Sequence, residues 1–363
     1  MNILYDNEIF LIQKYGGATR YFYELIKRMP DFDDAEVSLY MGYFINKYGL
    51  EKYADRFKYF KGKEIPSIPK TKLISRKIQY HTFLKFRDSF DSNIFHQTYF
   101  NPYERKKGEK KVITIHDFTH EKYPEYFNSI DKTSIEKRKS AETSDGIICI
   151  SESTKKDLLE LYDIPESRIR VIYHGNSLTA EPGENITGKP YILYVGDRRA
   201  YKNFEIMLKV FSGFENLKKD FNLICFGGGK FTSAEQKKIN GYGLSDIIRQ
   251  DSGTDERLAT YYKYAEAFVY PSFYEGFGIP LLEAMQYDCP IIASDTNSLR
   301  EVGGNAAIYF EPNSDESLIE AINLISFNSG KKAEIIKNGR ERIKVFSWDK
   351  CAKETYNFYK ELL

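Results

Sequence analysis

Two glutamates in the segment Tyr270–Ser294 point most directly to chemistry: Glu275 and Glu283, with seven residues between them. Glu275 precedes a glycine turn, Gly276-Phe277-Gly278, and a helical pattern follows in which Pro280 takes the first position. A helix that starts after such a turn presents unpaired N–H groups and the positive end of its dipole, which suits a phosphate. The segment predicts a carboxylate for a sugar, amides for a phosphate and a carboxylate for ribose. A ligand-free strand–turn–helix unit would show the same pattern.

A pair of cations follows the apolar run 191–196. Arg198 and Lys202 lie within the sequence DRRAYKN, directly after a predicted strand. Fixed cations at a strand end can neutralise a diphosphate whose charge grows as a glycosidic bond breaks. Arg199 could take the place of Arg198, and the sequence does not choose between them. A cationic surface loop is the alternative reading of the whole stretch.

The elements that position these residues are short apolar runs separated by helical patterns, which predict an α/β protein with parallel sheets. Ligands of such sheets bind beyond the carboxyl ends of the strands. The polar segment 176–190 holds two Pro and two Gly, the composition of a linker. We therefore expect two domains, 1–176 and 177–347. The runs are 1–6, 37–42, 93–98, 111–117, 146–151, 170–175, 191–196, 221–227, 267–272, 291–294 and 306–312.

Polar residues also mark strand ends in the first half of the chain. His116 ends one apolar run, and His96 lies near the end of another. Ser151 ends a third run and suits the cap of a following helix. Gly16 and Gly17 follow the first run, where small residues let the backbone approach a ligand closely. Each of these features also has a purely structural explanation.

The two-glutamate segment, together with QKYGGATRYFYELI (13–26) and LYVGDRRAYKNF (193–204), resembles the retaining nucleotide-sugar glycosyltransferases of family 4. Within that family it is most similar to bacterial mannosyltransferases that build O-antigens and related surface glycans. The resemblance spans nearly the whole chain. It implies the GT-B fold, with two Rossmann-like domains facing across a cleft and a last helix, here 348–363, that crosses back to the first domain.

The resemblance also implies roles for individual residues. The catalytic group would be Glu275, His116, Arg198 and Lys202. Nucleotide-sugar binding would involve Glu283, Gly276, Phe277, Gly278, Ile279, Gly16, Gly17, Ser252 and Leu258. His96 and Ser151 would lie on the acceptor side. Whether Glu275 stabilises charge or acts as a nucleophile stays open.

The implied reaction moves a hexose, mannose from GDP-mannose, onto a hydroxyl of a glycan or lipid-linked acceptor with retention of configuration. The alternatives are a UDP-sugar donor, a hydrolysing epimerase, or a non-catalytic binder of sugar nucleotides or glycans. No metal or other cofactor is expected, because catalysis in the family does not use one. Asp117 and His120 next to His116 are a weak metal motif by themselves.

Composition excludes several other classes. A net charge of +1 on 363 residues gives no reason to expect nucleic acid as a partner. The four cysteines are widely separated and lack CxxC spacing, which argues against a zinc site or a disulfide framework. No signal peptide pattern and no apolar run of about 20 residues is visible. We therefore expect a cytoplasmic protein, with peripheral membrane contact left open.

One segment departs from this balanced charge. Lys52–Arg87 contains eleven Lys or Arg residues and two acids, a net charge of +9, with Tyr and Phe interleaved. Clustered cations bind anionic membranes with roughly 1 kcal/mol for each residue near the surface. The segment predicts docking on a membrane near a lipid-linked acceptor, and an ordinary solvated face is the alternative.

Overall fold

The structure is a computed structural model that describes residues 1–66, 72–101 and 103–363. It divides into two compact units. Unit 1 contains Met1–Lys122, Phe127–His174 and Trp348–Leu363, and unit 2 contains Tyr123–Tyr126 and Gly175–Ser347. None of the helices among the described residues combines the length and the apolar character needed to cross a membrane.

Unit 1 is built on a sheet of seven parallel strands in the order β3-β2-β1-β4-β5-β6-β7. Its inner strands are almost entirely buried, as expected when helices cover both faces. The strands are β1 (Asn2–Tyr5), β2 (Glu36–Phe44), β3 (Tyr59–Glu64), β4 (Ile94–Gln97), β5 (Lys110–Ile115), β6 (Gly146–Cys149) and β7 (Ile169–Val171). The helices are α1 (Glu8–Ile12), α2 (Gly17–Arg28), α3 (Lys72–Asp88), α4 (Thr119–Lys122), α5 (Thr133–Glu142) and α6 (Glu152–Leu161).

Unit 2 has a second parallel sheet, of six strands, in the order β10-β9-β8-β11-β12-β13. The strands are β8 (Tyr191–Val195), β9 (Asn222–Phe226), β10 (Ile248–Asp251), β11 (Ala267–Tyr270), β12 (Ile291–Ser294) and β13 (Ile308–Phe310). The helices are α7 (Phe204–Gly213), α8 (Glu215–Asp220), α9 (Ser233–Gly241), α10 (Asp255–Tyr264), α11 (Ile279–Gln286), α12 (Asn297–Gly303), α13 (Asp315–Phe327) and α14 (Ser329–Arg342). The two sheets with intervening helices confirm the predicted α/β class.

The last helix, α15 (Trp348–Leu362), follows unit 2 in sequence but packs in unit 1. Trp348, Cys351, Phe358 and Tyr359 are buried in the same apolar cluster as residues of β1 and α2. The tyrosine hydroxyls of Tyr5 and Tyr359 are 3.0 Å apart in that core. The end of the chain is therefore part of the interior of unit 1.

Candidate active site

An ion pair between Lys202 and Glu275 lies at the carboxyl edge of the unit 2 sheet. Lys202 Nζ donates to Glu275 Oε1 at 2.6 Å, and both side chains are largely buried. Burial lowers the pKa of Lys202, but the charge and hydrogen bond of Glu275 together with smaller contributions from Tyr201 and Asp197 outweigh burial, so the pKa is raised overall and the ammonium stays charged. The structure thus brings together two residues that are 73 positions apart in the sequence.

Backbone contacts fix the two loops that carry this pair. The N–H of Phe273 donates to the carbonyl of Tyr201 at 2.9 Å, which ties the loop after β11 to the turn after β8. Ser298 of α12 donates its hydroxyl to the carbonyl of Glu275 at 2.6 Å. Below the pair, burial and the Glu275 charge raise the pKa of Tyr270 far above its ordinary value. The Lys202–Glu275 pair therefore sits on a fixed frame.

Arg198 lies in a different environment from that expected for a free phosphate ligand. Its side chain is 2% exposed, and its Nε donates to Glu235 Oε1 at 2.6 Å. Its terminal nitrogens donate to the carbonyls of Gly227 at 3.1 Å and Gly229 at 3.0 Å. The guanidinium holds the glycine loop that follows β9, and its contact with a diphosphate stays a prediction.

The loop that Arg198 holds depends on glycine. Gly227, Gly228 and Gly229 all have φ between 65° and 86°, in the left-handed region. A Cβ on Gly228 would lie 2.6 Å from a guanidinium nitrogen of Arg198 and 2.8 Å from the Gly196 carbonyl oxygen. Any side chain at position 228 would therefore displace the Arg198 guanidinium and strain the backbone of the turn.

The side chain of Arg199, the alternative to Arg198, is 64% exposed, and its partner among the described residues is Asp197, two positions earlier in the sequence. Its Nε and a terminal nitrogen donate to Asp197 Oδ2 at 3.0 and 2.6 Å. Burial raises the pKa of Asp197, but its hydrogen bonds with Arg199 and the charges of Arg199 and Lys202 together have a larger effect, so the pKa is lowered overall. Neither arginine is directed at an open site by these contacts, and the choice between them stays a prediction.

Helix α11 begins after Gly278, whose φ of 112° is in the region that favours glycine. A Cβ there would lie 2.9 Å from Leu299. The helix starts at Ile279, one residue before the predicted start, so Pro280 takes its second position and not its first. The N–H that proline lacks is one of the unpaired amides of the first turn at either position. Phe277 is buried and meets the ring of Phe346 edge-on at 5.7 Å.

Glu283 lies one turn into α11 and is half-buried. The hydroxyl of Tyr262, on α10, donates to Glu283 Oε2 at 3.0 Å. Burial, followed by the Glu283 charge, raises the pKa of Tyr262 far above its ordinary value, so the hydroxyl keeps its proton. This bond fixes one oxygen of the carboxylate.

Two of the residues predicted to bind the nucleotide sugar, Ser252 and Leu258, lie after β10. Ser252 is exposed, and its N–H donates to Asp251 Oδ1 at 2.8 Å. Leu258 is half-buried on α10, the helix that Thr254 caps. Arg257 Nε donates to Asp251 Oδ2 at 2.7 Å, so the acid and not the predicted serine organises this loop.

In unit 1, His116 follows β5 within an aromatic cluster. Its ring meets Tyr21 edge-on at 5.3 Å and His174 at 5.8 Å. Burial lowers the pKa of His116 to about 4, so the imidazole is neutral. Nε2 is inaccessible to solvent and has no hydrogen-bond partner among the described residues. A hydroxyl brought to this nitrogen would satisfy it.

His96 is not on an accessible acceptor surface, which corrects the sequence prediction. It is fully buried in the interior of β4. Nδ1 bonds to the Tyr359 hydroxyl, and Nε2 lies 2.9 Å from Thr114 Oγ1. Burial lowers its pKa to about 3. His96 thus links α15 to the strand that ends beside His116.

Ser151 is also fully buried, and its position corrects the acceptor-side prediction. Its hydroxyl accepts from the N–H of Thr154 at 2.9 Å as the N-cap of α6. Gly16 precedes α2 and Gly17 is its first residue. The N–H of Gly16 donates to the Tyr48 hydroxyl at 3.3 Å, and Gly17 is exposed.

The described residues contain no group of three or more His, Cys, Asp or Glu side chains placed to hold a metal ion. Asp117 Oδ1 accepts from the N–H of Thr119 at 2.9 Å, and His120 stacks on Phe127 with ring centroids 3.8 Å apart. Independence from metal stays a prediction that only turnover can test.

Sequence reasoning missed two residues of these groups. His174 ends the run 170–175 in the same way that His116 ends its own run, and it stacks on Tyr21 at 5.1 Å. Glu235 lies three residues after Thr232, the spacing of a capping box, and both capping bonds form. The strand-end position could have identified His174, and the capping-box spacing could have identified Glu235.

Family models match the chain in two consecutive stretches. The model described as Glycosyltransferase Family 4 matches residues 15–179, and the one described as Glycosyl transferases group 1 matches residues 179–342. O-antigen chain mannosyltransferase B of Escherichia coli is 30% identical over 279 residues, 72% of this chain and 73% of that protein. O-antigen chain mannosyltransferase RfbU of Salmonella typhimurium is 29% identical over 226 residues, 58% of this chain and 60% of that protein.

Solved structures share the fold along the full length. A sucrose-phosphate synthase from Thermosynechococcus elongatus is 20% identical and superposes with a TM-score of 0.77, covering 99% of this chain and 98% of its own. HepE of Anabaena, solved in complex with UDP-glucose, is 14% identical with a TM-score of 0.74, covering 99% and 100%. At these identities the likeness establishes the fold alone.

Proposed function

This chain belongs to glycosyltransferase family 4 and has the GT-B fold, and we propose that it is a retaining mannosyltransferase that uses GDP-mannose. The observation that carries the proposal is the fixed Lys202–Glu275 pair at the carboxyl edge of the unit 2 sheet, beside the start of α11. A charged ammonium and the positive dipole end of a helix start suit a diphosphate. A carboxylate beside them suits sugar hydroxyls. The names of two similar O-antigen mannosyltransferases support mannose.

In the proposed reaction the bond between the anomeric carbon and the diphosphate oxygen breaks, and its electron pair leaves with the diphosphate. Lys202 and the first amides of α11 stabilise the added negative charge. The acceptor hydroxyl attacks the same face of the sugar, and its proton passes to a phosphate oxygen. Glu275 orients the sugar or stabilises its positive charge.

Glu283 and His116 complete the proposed roles. Glu283, whose carboxylate accepts from the Tyr262 hydroxyl, binds the ribose hydroxyls. His116 is neutral and has an unpartnered Nε2, so it bonds a hydroxyl of the transferred sugar without adding charge. Ser252 and the loop around Asp251 face the base.

A UDP-sugar donor is the second candidate, and the specific observation in its favour is the complex of the structurally similar HepE with UDP-glucose. The thermal unfolding of the protein with GDP, UDP and ADP separates the two candidates. A ligand at a hundred times its Kd adds roughly 2.7 kcal/mol of stability. GDP should give the largest shift, and a larger shift with UDP would replace GDP-mannose in the proposal.

Product analysis then tests the sugar and the stereochemistry. The protein is offered GDP-mannose, UDP-glucose and UDP-N-acetylglucosamine together with an acceptor, and the product is examined by NMR. Mannose transfer with a retained anomer is expected, and it should persist in EDTA. An inverted anomer would overturn the retaining mechanism, and activity that requires added manganese would overturn the metal-free one.

Peripheral membrane contact through Lys52–Arg87 stays a prediction, and the structure reduces the charge available for it. Arg56 pairs with Asp31, Lys58 with Glu36, and Arg87 with Glu109, all acids outside the segment. Arg76 pairs with Glu8 and Glu136. Residues 67–71, Lys70 among them, lie outside the described residues. The net charge of +9 along the sequence is therefore not the charge of one continuous face.

A further inference from the structure

A groove of about 710 Å³ lies in unit 1 between α3 and the strands β2 and β3. Because β3 is the edge strand of the sheet, its α3-facing residues have a neighbouring strand on one side only. Tyr59, Lys61 and Lys63 alternate along β3 and line the groove, and Lys85 lines it from α3. Unit 1 thus carries a groove that takes no part in the proposed transfer.

The charge of this groove is uniformly positive. Lys61, Lys63 and Lys85 are exposed, and no acid is among the lining residues. None of the three lysines forms an ion pair with another described residue, in contrast to the arginines of the same segment. Lys61 and Lys63 are two residues apart on one face of a strand, about 7 Å. This arrangement suits a ligand that carries negative charges at intervals.

Aromatic rings line the same groove. Tyr59 stacks on Phe86 with ring centroids 4.9 Å apart, which holds both rings in place. The side chain of Tyr43 is 52% exposed, while its backbone is held by Gln79, whose side chain accepts from the Tyr43 N–H and donates to its carbonyl. A rigid backbone therefore presents an open tyrosine ring beside the lysines.

We propose that this groove binds an anionic glycan, a linear sugar chain that carries carboxylate or phosphate groups. The lysines meet the charges, the rings of Tyr43 and Tyr59 stack on the C–H faces of the sugars, and the exposed hydroxyls of Thr82 and Ser89 bond sugar hydroxyls. The inference rests on the proposed function only in taking a glycan as the natural ligand.

A bilayer is the competing occupant, because Ile78 at the same groove is 55% exposed and would suit an apolar surface. The surface of a flat bilayer does not contact side chains that line the inside of a recess. The lining hydroxyls also favour a ligand rich in hydroxyl groups. The two occupants make opposite predictions for a soluble oligosaccharide.

The test is calorimetric binding of tetragalacturonate, a carboxylated probe, with maltotetraose as its neutral counterpart, at low and high salt. The intact protein should bind tetragalacturonate at low salt, lose affinity as salt rises, and bind maltotetraose much more weakly. Replacing Lys61, Lys63 and Lys85 by Gln together should weaken binding by about tenfold, the sum of three exposed charge contacts. Tyr43→Ala should weaken it further, whereas Tyr43→Phe should not.

The matched control replaces three exposed lysines elsewhere in unit 1, Lys107, Lys132 and Lys353, by Gln. It removes the same charge and should leave binding unchanged. Equal binding of the neutral probe, equal loss in the control, or absence of binding at low salt would overturn the inference. Binding to phosphatidylglycerol vesicles but not to tetragalacturonate would assign the groove to a membrane instead. GDP and UDP shifts measured on the same variants report the proposed transferase site separately.

Discussion

The carboxyl edges of the two sheets carry polar groups of opposite character. In unit 2, Lys202 and Glu275 form a charged pair, and Arg198 is bonded to Glu235. In unit 1, His96, His116 and His174 lie in an aromatic cluster, and burial lowers the pKa of each imidazole, so that all three are neutral. The sheet of unit 2 thus positions a charged pair, whereas the sheet of unit 1 positions three neutral imidazoles next to the ionised Asp117.

This difference indicates which ligand each unit can accept at low energetic cost. An ion pair in a partly buried site keeps both charges and is ready for a charged ligand such as a diphosphate. A buried neutral imidazole next to tyrosine rings offers a hydrogen bond without a charge, which suits sugar hydroxyls. This comparison predicts two kinds of effect. Substitutions of charged residues in unit 2 should slow the chemical step, whereas substitutions of the histidines in unit 1 should weaken binding or lower stability.

The largest effect is expected for Glu275→Gln. The amide removes the charge that pairs with Lys202 and that faces the sugar, so transfer should fall by at least roughly 10²–10³. Binding of free nucleotide, followed by thermal shift, should stay nearly unchanged. Glu283→Gln is the matched control, and it should weaken both free nucleotide and nucleotide-sugar binding. The reverse pattern would mean that the two roles are exchanged.

Lys202→Ala and Arg198→Ala should separate catalysis from positioning. Without Lys202 the diphosphate loses a charge partner in the transition state, so kcat should fall by roughly 10² with little change in KM. Arg198→Ala leaves the carbonyls of the glycine loop and one oxygen of the partly exposed Glu235 without their donor, so it should also destabilise the protein by about 2 kcal/mol. An Arg198→Ala protein of normal stability with only kcat reduced would instead place Arg198 on the diphosphate.

The sequence predicted most of this frame but not its side-chain partners. The buried inner strands follow from apolar runs, whereas β3 (YFKGKE) and β10 (IRQD) were missed. Both are edge strands of their sheets, so they need less burial and show no apolar run. His96 was misplaced because its partner Tyr359 is 263 residues away, and local sequence carries no trace of that bond. Spacing could locate Glu275 and Glu283, but not the contacts that occupy Arg198.

A moderate effect is expected in unit 1, where His116→Asn and His96→Phe should behave differently. His116→Asn should lower transfer by about tenfold, the loss of one hydrogen bond to the sugar, at nearly unchanged stability near neutral pH. His96→Phe removes one of the two described partners of each buried hydroxyl, leaving Tyr359 bonded to Tyr5 and Thr114 bonded to Tyr21, so it should cost about 1–2 kcal/mol of stability. The activity per folded molecule should then remain close to that of the intact protein. Equal activity losses in the two variants would argue against direct contact by His116.

The pH dependence of stability tests whether the imidazole of His116 is neutral in the folded protein. The folded pKa of His116, about 4, is below the ordinary value of 6.5, so the unfolded chain binds more protons between these values. The intact protein should therefore lose stability relative to His116→Asn as pH falls from 6.5 to 4, by up to about 3 kcal/mol. Above pH 6.5 the difference should be constant. Denaturant unfolding of both proteins across this range measures it, and a flat difference would mean that His116 titrates normally.

The smallest effect is expected for Arg199→Ala. The Arg199 side chain is 64% exposed, and it pairs with Asp197, two residues away on the same loop, so its removal breaks a surface pair worth about 0.2–1 kcal/mol. Transfer should change by less than about threefold, because Lys202 and the start of α11 still meet the diphosphate. The measurement is kcat and KM for the donor beside Arg198→Ala, with Arg340→Ala, another exposed arginine of unit 2 that pairs with an acid, as the control. A loss with Arg199→Ala as large as that with Lys202→Ala would identify Arg199 as the cation that contacts the leaving diphosphate, and Arg198 would then act only through the glycine loop that it holds.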